Sequence, residues 1–139
     1  MTRSTPMTTL HSFRRAVEAN DLEGMLELLA PRVRLYNPMS PEPLEGRERV
    51  RPVFQALQRI FQDFRYTRVL AGGSPDSAPS QQSMQALVFR CRVGNEEIEG
   101  IDIFDLDDQG RIATLTVMLR PLAGIHSLAE AMANPSTGT

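Results

Sequence analysis

The chain has 139 residues, 41% of them hydrophobic and 23% charged, with a formal net charge of −2; these values fit one globular domain with a single core. All 15 basic residues are Arg, so Schiff-base, pyridoxal-phosphate and P-loop-lysine chemistry have no lysine to work with. One Cys (Cys91) and two His (His11, His126) exclude an intrachain disulfide and are a poor start for a four-ligand zinc site, so neither metal nor cofactor is expected, and the near-neutral charge argues against a nucleic-acid surface.

The opening MTRSTPMTTL lacks the apolar run of a signal segment, and nowhere do about 18 apolar residues follow one another, so a cytoplasmic protein without membrane contact is expected. Residues 1–6 and 134–139 read as flexible tails around one domain at 7–133. Leu10, Phe13 and Val17 recur at helical spacing. Asp21 caps a second helical run through Leu22, Met25, Leu26 and Leu29, which Pro31 ends. RVRLY alternates as a short strand before the turn-rich NPMSPEPLEG, a wide loop in which Glu42 and Glu45 are either a cover over a ligand or, by default, solvated charges. From Gly46, RERVRPVFQALQRIF puts Val50, Val53, Phe54, Leu57, Ile60 and Phe61 on one stripe, with Pro52 tolerable only in the first turn of this longest helix.

After Asp63 the apolar period changes from about 3.6 to 2. FRYTRVL, MQALVFRCRV, EEIEGIDIFDL and RIATLTVML read as four strands of an antiparallel meander, separated by a mobile loop at 72–82, a tight turn at Gly94 and Asn95, and the DDQG turn. SLAEAMA closes the chain as a short helix, with His126 as a surface residue at its start. Helices segregated from a run of strands indicate an α+β domain. On the meander Ile98, Gly100, Asp102 and Phe104 share one face, as do Leu87, Phe89, Cys91 and Val93, while Arg90 and Arg92 point outward. Asp102 therefore sits among apolar neighbours, where a carboxyl is either hydrogen-bonded or kept neutral. Ile101, Ile103, Thr114, Thr116 and Met118 make the opposite face apolar to mixed, a surface that a second copy of the chain would cover.

In FRRAVEANDLEGMLELLAP, NPMSPEPLEGRERV, EEIEGIDIFDLDDQGRI and TVMLRPL the chain resembles the nuclear-transport-factor-2-like (NTF2-like) superfamily, in its SnoaL-like and ketosteroid-isomerase-like branch, over about residues 10–130. The resemblance implies a cone-shaped fold, a curved, antiparallel-rich sheet wrapped around the long helix with an apolar pocket between them, and it agrees with a homodimer. Ketosteroid isomerases in that branch set an Asp base against an oxyanion hole made of Tyr and a protonated Asp. The resemblance carries the protonated Asp onto Asp102, but its helix-one Tyr falls on Phe13 and its base on Asn37, which cannot take a proton near neutral pH. The epoxide-hydrolase pattern also fails, with Gly100 where an Arg is needed and apolar residues near Val117 where a second carboxylate is needed.

The candidate catalytic residues are thus Asp102 and Asn37. The candidate ligand-facing residues are Phe13, Tyr36, Tyr66, Phe89, Cys91 as an unreactive thiol, Phe104 and Val117. The expected function is that of a pocket protein for an apolar carbonyl- or hydroxyl-bearing small molecule, acting as a cofactor-free isomerase, cyclase or lyase in which neutral Asp102 donates to a developing oxyanion. The alternative is a non-catalytic ligand-binding or dimerisation module of the same fold.

Overall fold

A computed structural model describes residues 6–73, 75–76 and 84–134. The elements are α1 (Pro6–Glu18), α2 (Leu22–Glu27), β1 (Leu29–Asn37), β2 (Ser40–Glu45), α3 (Arg47–Ile60), β3 (Gln62–Gly72), β4 (Met84–Val93), β5 (Glu96–Leu106), β6 (Ile112–Arg120) and α4 (Leu122–Ala133). The strands form one curved sheet in the order β2-β1-β6-β5-β4-β3, antiparallel throughout except for the parallel pair β1 and β6. This is the α+β architecture expected, with β3 to β6 as the expected meander. Among the described residues no helix is long and apolar enough to cross a membrane.

Local chemistry accounts for most of these elements. Asp21 caps α2 by accepting from the Gly24 N–H at 3.0 Å. Gly94, at φ +58°, supplies the positive φ that the first position of the two-residue β4–β5 loop requires. Asp107 Oδ1 accepts from the N–H groups of Gln109 and Arg111, which fixes the turn into β6.

Four expectations are corrected. The second helix ends at Glu27, and Pro31 lies inside β1, where the register against β6 shifts between Leu29 and Arg34 and no ladder donor is lost. The wide loop is a hairpin, in which Leu35 pairs with Leu44 and Asn37 with Ser40. Its prolines conceal a strand that lies at the sheet edge, where proline costs no ladder hydrogen bond on the open side. Pro52 is the sixth residue of α3, past the first turn, with its ring on the exposed side. His126 lies within α4 rather than at its start, though it is exposed as expected. Pro6 opens α1 and Asn134 caps α4, so each takes part in the fold; residues 1–5 and 135–139, and most of the 72–82 loop, lie outside the described residues.

The inner face of the sheet carries the core. Ile98, Gly100, Asp102 and Phe104 are all buried, as the alternation required. One cluster joins α1, α2, the first half of α3 and the sheet through Phe13, Leu29, Val33, Phe54, Leu87 and Phe104. A second joins the end of α3 to α4 through Ile60, Phe89, Cys91, Ile98 and Leu128.

Candidate active site

Between α3 and the sheet lies a cavity of about 770 Å³, within the range of small-molecule sites. Val53, Phe54, Leu57, Gln58 and Phe61 form its helix wall, and Leu35, Tyr66, Phe89, Asp102, Leu115 and Val117 its sheet wall. The hairpin from Asn37 to Leu44 borders it, and Phe13, Val17 and Glu18 of α1 complete it together with Leu128 and Met132 of α4.

Register sets the polar centre of this wall. Asp102 stands between Leu87 on β4 and Val117 on β6, so its strand neighbours offer no charge. It is 9% exposed, and Tyr66 Oη donates to its Oδ2 at 3.5 Å. Burial pushes the Asp102 carboxyl up to about 7, while the Tyr66 hydrogen bond works the other way. The Tyr66 hydroxyl is pushed well above its ordinary value, first by burial and then by the Asp102 charge, so it stays a donor.

Gly100 makes the approach of these two groups possible. Its Cβ position would lie 2.3 Å from Phe89 Cζ and 2.6 Å from Leu119 Cδ2, so only glycine lets the Phe89 ring lie over β5. Tyr66 then packs edge-on against Phe89, with centroids 6.4 Å apart at 88°. An Arg at Gly100 is therefore sterically barred as well as absent.

Of the residues proposed from the sequence, Phe13, Asn37, Tyr66, Phe89, Asp102 and Val117 line the cavity. Asn37 does so at the hairpin, where its Oδ1 accepts from the Met39 N–H at 2.9 Å, so its amide is partly engaged in a local turn. Three expected ligand contacts are corrected. Phe104 is 1% exposed and lies behind the lining, its ring 5.0 Å from Phe13, so it supports the wall rather than meeting a ligand. Tyr36 pairs with Thr116 on the outer side of the sheet, because Leu35 and Leu115 take the inner positions. Cys91 shares the inner face but lies where α4 covers the sheet, packed with Ile98 and Leu128, and burial pushes its thiol up to about 12.

Among the further polar residues of the cavity are Gln58, which the sequence reading passed over, and Glu42, which it left as a solvated charge or a cover over a ligand. Gln58 interrupts the apolar stripe of α3 between Phe54 and Phe61, a signal visible as one polar residue at a core spacing. Glu42 projects from β2, which the prolines hid. Besides Asp102, three carboxylates line the cavity: Glu18 pairs with Arg14, Asp63 pairs with Arg92, and Glu42 has no ion pair among the described residues. No group of three His, Cys, Asp or Glu side chains among the described residues is placed to hold a metal.

The family model for the SnoaL-like domain matches residues 10–115. The chain belongs to the SnoaL-like domain family. This SnoaL-like domain is similar in structure to a steroid delta-isomerase from Pseudomonas aeruginosa, at 32% identity and a TM-score of 0.83, with 94% of this chain and 90% of that one covered. It is similar to a protein with a cystatin-like fold from Silicibacter pomeroyi DSS-3, at 28% identity and a TM-score of 0.80, covering 91% of this chain and 84% of that one. An NTF2-like protein from Cytophaga hutchinsonii shares the fold at 18% identity and a TM-score of 0.63, over 86% of this chain and 94% of that one. No curated protein matches the sequence. The SnoaL-like domain thus has the NTF2-like fold that the sequence resemblance implied.

Proposed function

We propose that this SnoaL-like domain is a cofactor-free enzyme of the isomerase, cyclase or lyase type, acting on an apolar molecule that carries a carbonyl or hydroxyl oxygen. The observation that carries this reading is the pairing of a buried carboxyl with a buried phenol in the wall of a largely apolar cavity. Tyr66 Oη and Asp102 Oδ2 are 3.5 Å apart, so one ligand oxygen fits at about 2.7 Å from each. With Asp102 neutral its proton is available to that oxygen, and the single Tyr66 O–H, which otherwise donates to Asp102, turns to the same oxygen, so negative charge growing there is stabilised by two donors close at hand. Tyr66 here takes the part that Asn37 was expected to play. The steroid delta-isomerase similarity supports an enolate or a related oxyanion as the species stabilised.

Removal of a proton from the carbon next to that carbonyl needs a base. Glu42 is the base in this reading, because Arg14 and Arg92 engage the carboxylates of Glu18 and Asp63 whereas Glu42 has no such partner among the described residues. It takes the proton from carbon and returns it to the same or a neighbouring carbon, so no net charge is left on the protein. The test is exchange of the α-protons of 2-tetralone into D₂O, followed by NMR. Exchange well above buffer and control protein, lost in both Asp102→Leu and Tyr66→Phe, is the expected result. Exchange at the buffer rate would contradict the enzymatic reading, and if 2-naphthol still bound, the site would be that of a binding module.

A further inference from the structure

Gln58 lines the same cavity from the α3 wall, set between Phe54 and Phe61, which also line it. Its amide nitrogen is buried and has no hydrogen-bond partner. Folded proteins leave few buried donors unpaired, and each one that remains calls for an explanation, a bound ligand or water among them. The neighbouring helix-wall residues Val53, Leu57 and Phe61 offer no acceptor side chain, so the protein itself does not supply one there. The last side-chain bond of glutamine rotates over a broad range, which lets the amide turn its N–H toward the cavity.

We infer that Gln58 is a second ligand-binding donor, and that the ligand is a bifunctional molecule: an apolar body with one oxygen held by Asp102 and Tyr66 and a separate hydrogen-bond acceptor, a carbonyl, ether or hydroxyl oxygen, against α3. This inference rests on the proposed oxyanion site for the first oxygen. It makes the cavity selective. A ligand without the second acceptor leaves the Gln58 donor unpaired, and discrimination of that kind is stronger than discrimination by apolar fit alone.

The probes are 2-naphthol and its 5-, 6- and 7-methoxy derivatives, titrated by fluorescence into the wild type, Gln58→Leu and Gln58→Met. At least one methoxy isomer is expected to bind the wild type about tenfold more tightly than 2-naphthol, and that gain vanishes in both Gln58 variants. The readout is the ratio of methoxy to 2-naphthol affinity within each protein, which falls to about one in both Gln58 variants, and the thermal midpoint does not fall, since no protein partner of Gln58 is lost. If no isomer gains affinity in the wild type, or the gain survives in the variants, the inference is overturned. A drop in thermal midpoint with equal loss for every probe would also overturn it, as a structural role. Asp102→Leu separates the two claims: equal 2-naphthol affinity in wild type and Asp102→Leu rejects the oxyanion site, whereas the Gln58 inference is judged on the methoxy gain alone.

Discussion

Tyr66 on β3 donates to Asp102 on β5 across the intervening β4, at 3.5 Å. The two residues are not on paired strands. Phe89 pairs with Tyr66 on one side and Gly100 on the other, and the missing side chain at Gly100 leaves room for the ring that Tyr66 packs against.

The Asp102 carboxyl makes stability depend on pH. Burial raises its pKa to about 7 in the folded state, above its unfolded value, so from about pH 4 to about pH 7 the native chain keeps a proton that the unfolded chain has lost. Its contribution is full below about pH 4 and is lost as pH rises through about 7, with a total on the order of 4 kcal/mol. Urea unfolding of the wild type and Asp102→Asn at about pH 5 and about pH 8 checks this: the variant gains on the wild type at the higher pH.

Gly100→Ala is expected to destabilise by about 1–3 kcal/mol, because the added Cβ would lie 2.3 Å from Phe89 Cζ and 2.6 Å from Leu119 Cδ2. Both rigid neighbours line the cavity, so the substitution also weakens 2-naphthol binding. Thermal unfolding and a binding titration measure the two effects separately.

Proton transfer is expected to depend on the hairpin. Glu42→Gln lowers 2-tetralone exchange by about 100-fold while 2-naphthol binds as before, since the base is not part of the donor pair. Asn37→Asp adds a carboxylate to the cavity where the resembled isomerases hold their base, and raises exchange above the wild type. Because Asn37 leaves that position without a carboxylate, the wild type is expected to show no isomerisation of Δ5-3-ketosteroids above background in an absorbance assay for the conjugated enone, and enzymatic turnover would contradict this.

Of the three positions that the resemblance carried over, only Asp102 holds the expected residue. Asp102 was legible because alternation in GIDIF admits one phase, and Phe13, Phe89 and Val117 follow the same rule. The Tyr66 partnership was not, because it spans two strands and depends on a register shift between Tyr66 and Arg68 that no periodicity encodes. Cys91 shows the limit of facing alone: it shares an inner face and a packing cluster with Phe89, yet Phe89 lines the cavity and Cys91 does not. Tyr36 shows that one step of phase decides everything, since Leu35 beside it takes the cavity.

We propose a homodimer through the outer face of the sheet, where Met118 is 54% exposed and Ile101 and Ile103 are half-buried. Sedimentation at tens of micromolar is expected to give a dimer for the wild type and a monomer for Met118→Glu combined with Ile101→Arg. A wild-type monomer at that concentration would contradict the proposal.

The central claim is that Asp102 holds its proton well above the ordinary carboxylate range, so that the neutral donor is populated near neutral pH, and the side-chain carboxyl carbon of Asp102, followed by ¹³C NMR from about pH 4 to about pH 9, tests it most directly. Titration with a midpoint near 7, moved in Tyr66→Phe, is the expected result. A midpoint in the ordinary carboxylate range near 4, with the group ionised at neutral pH, would contradict the account.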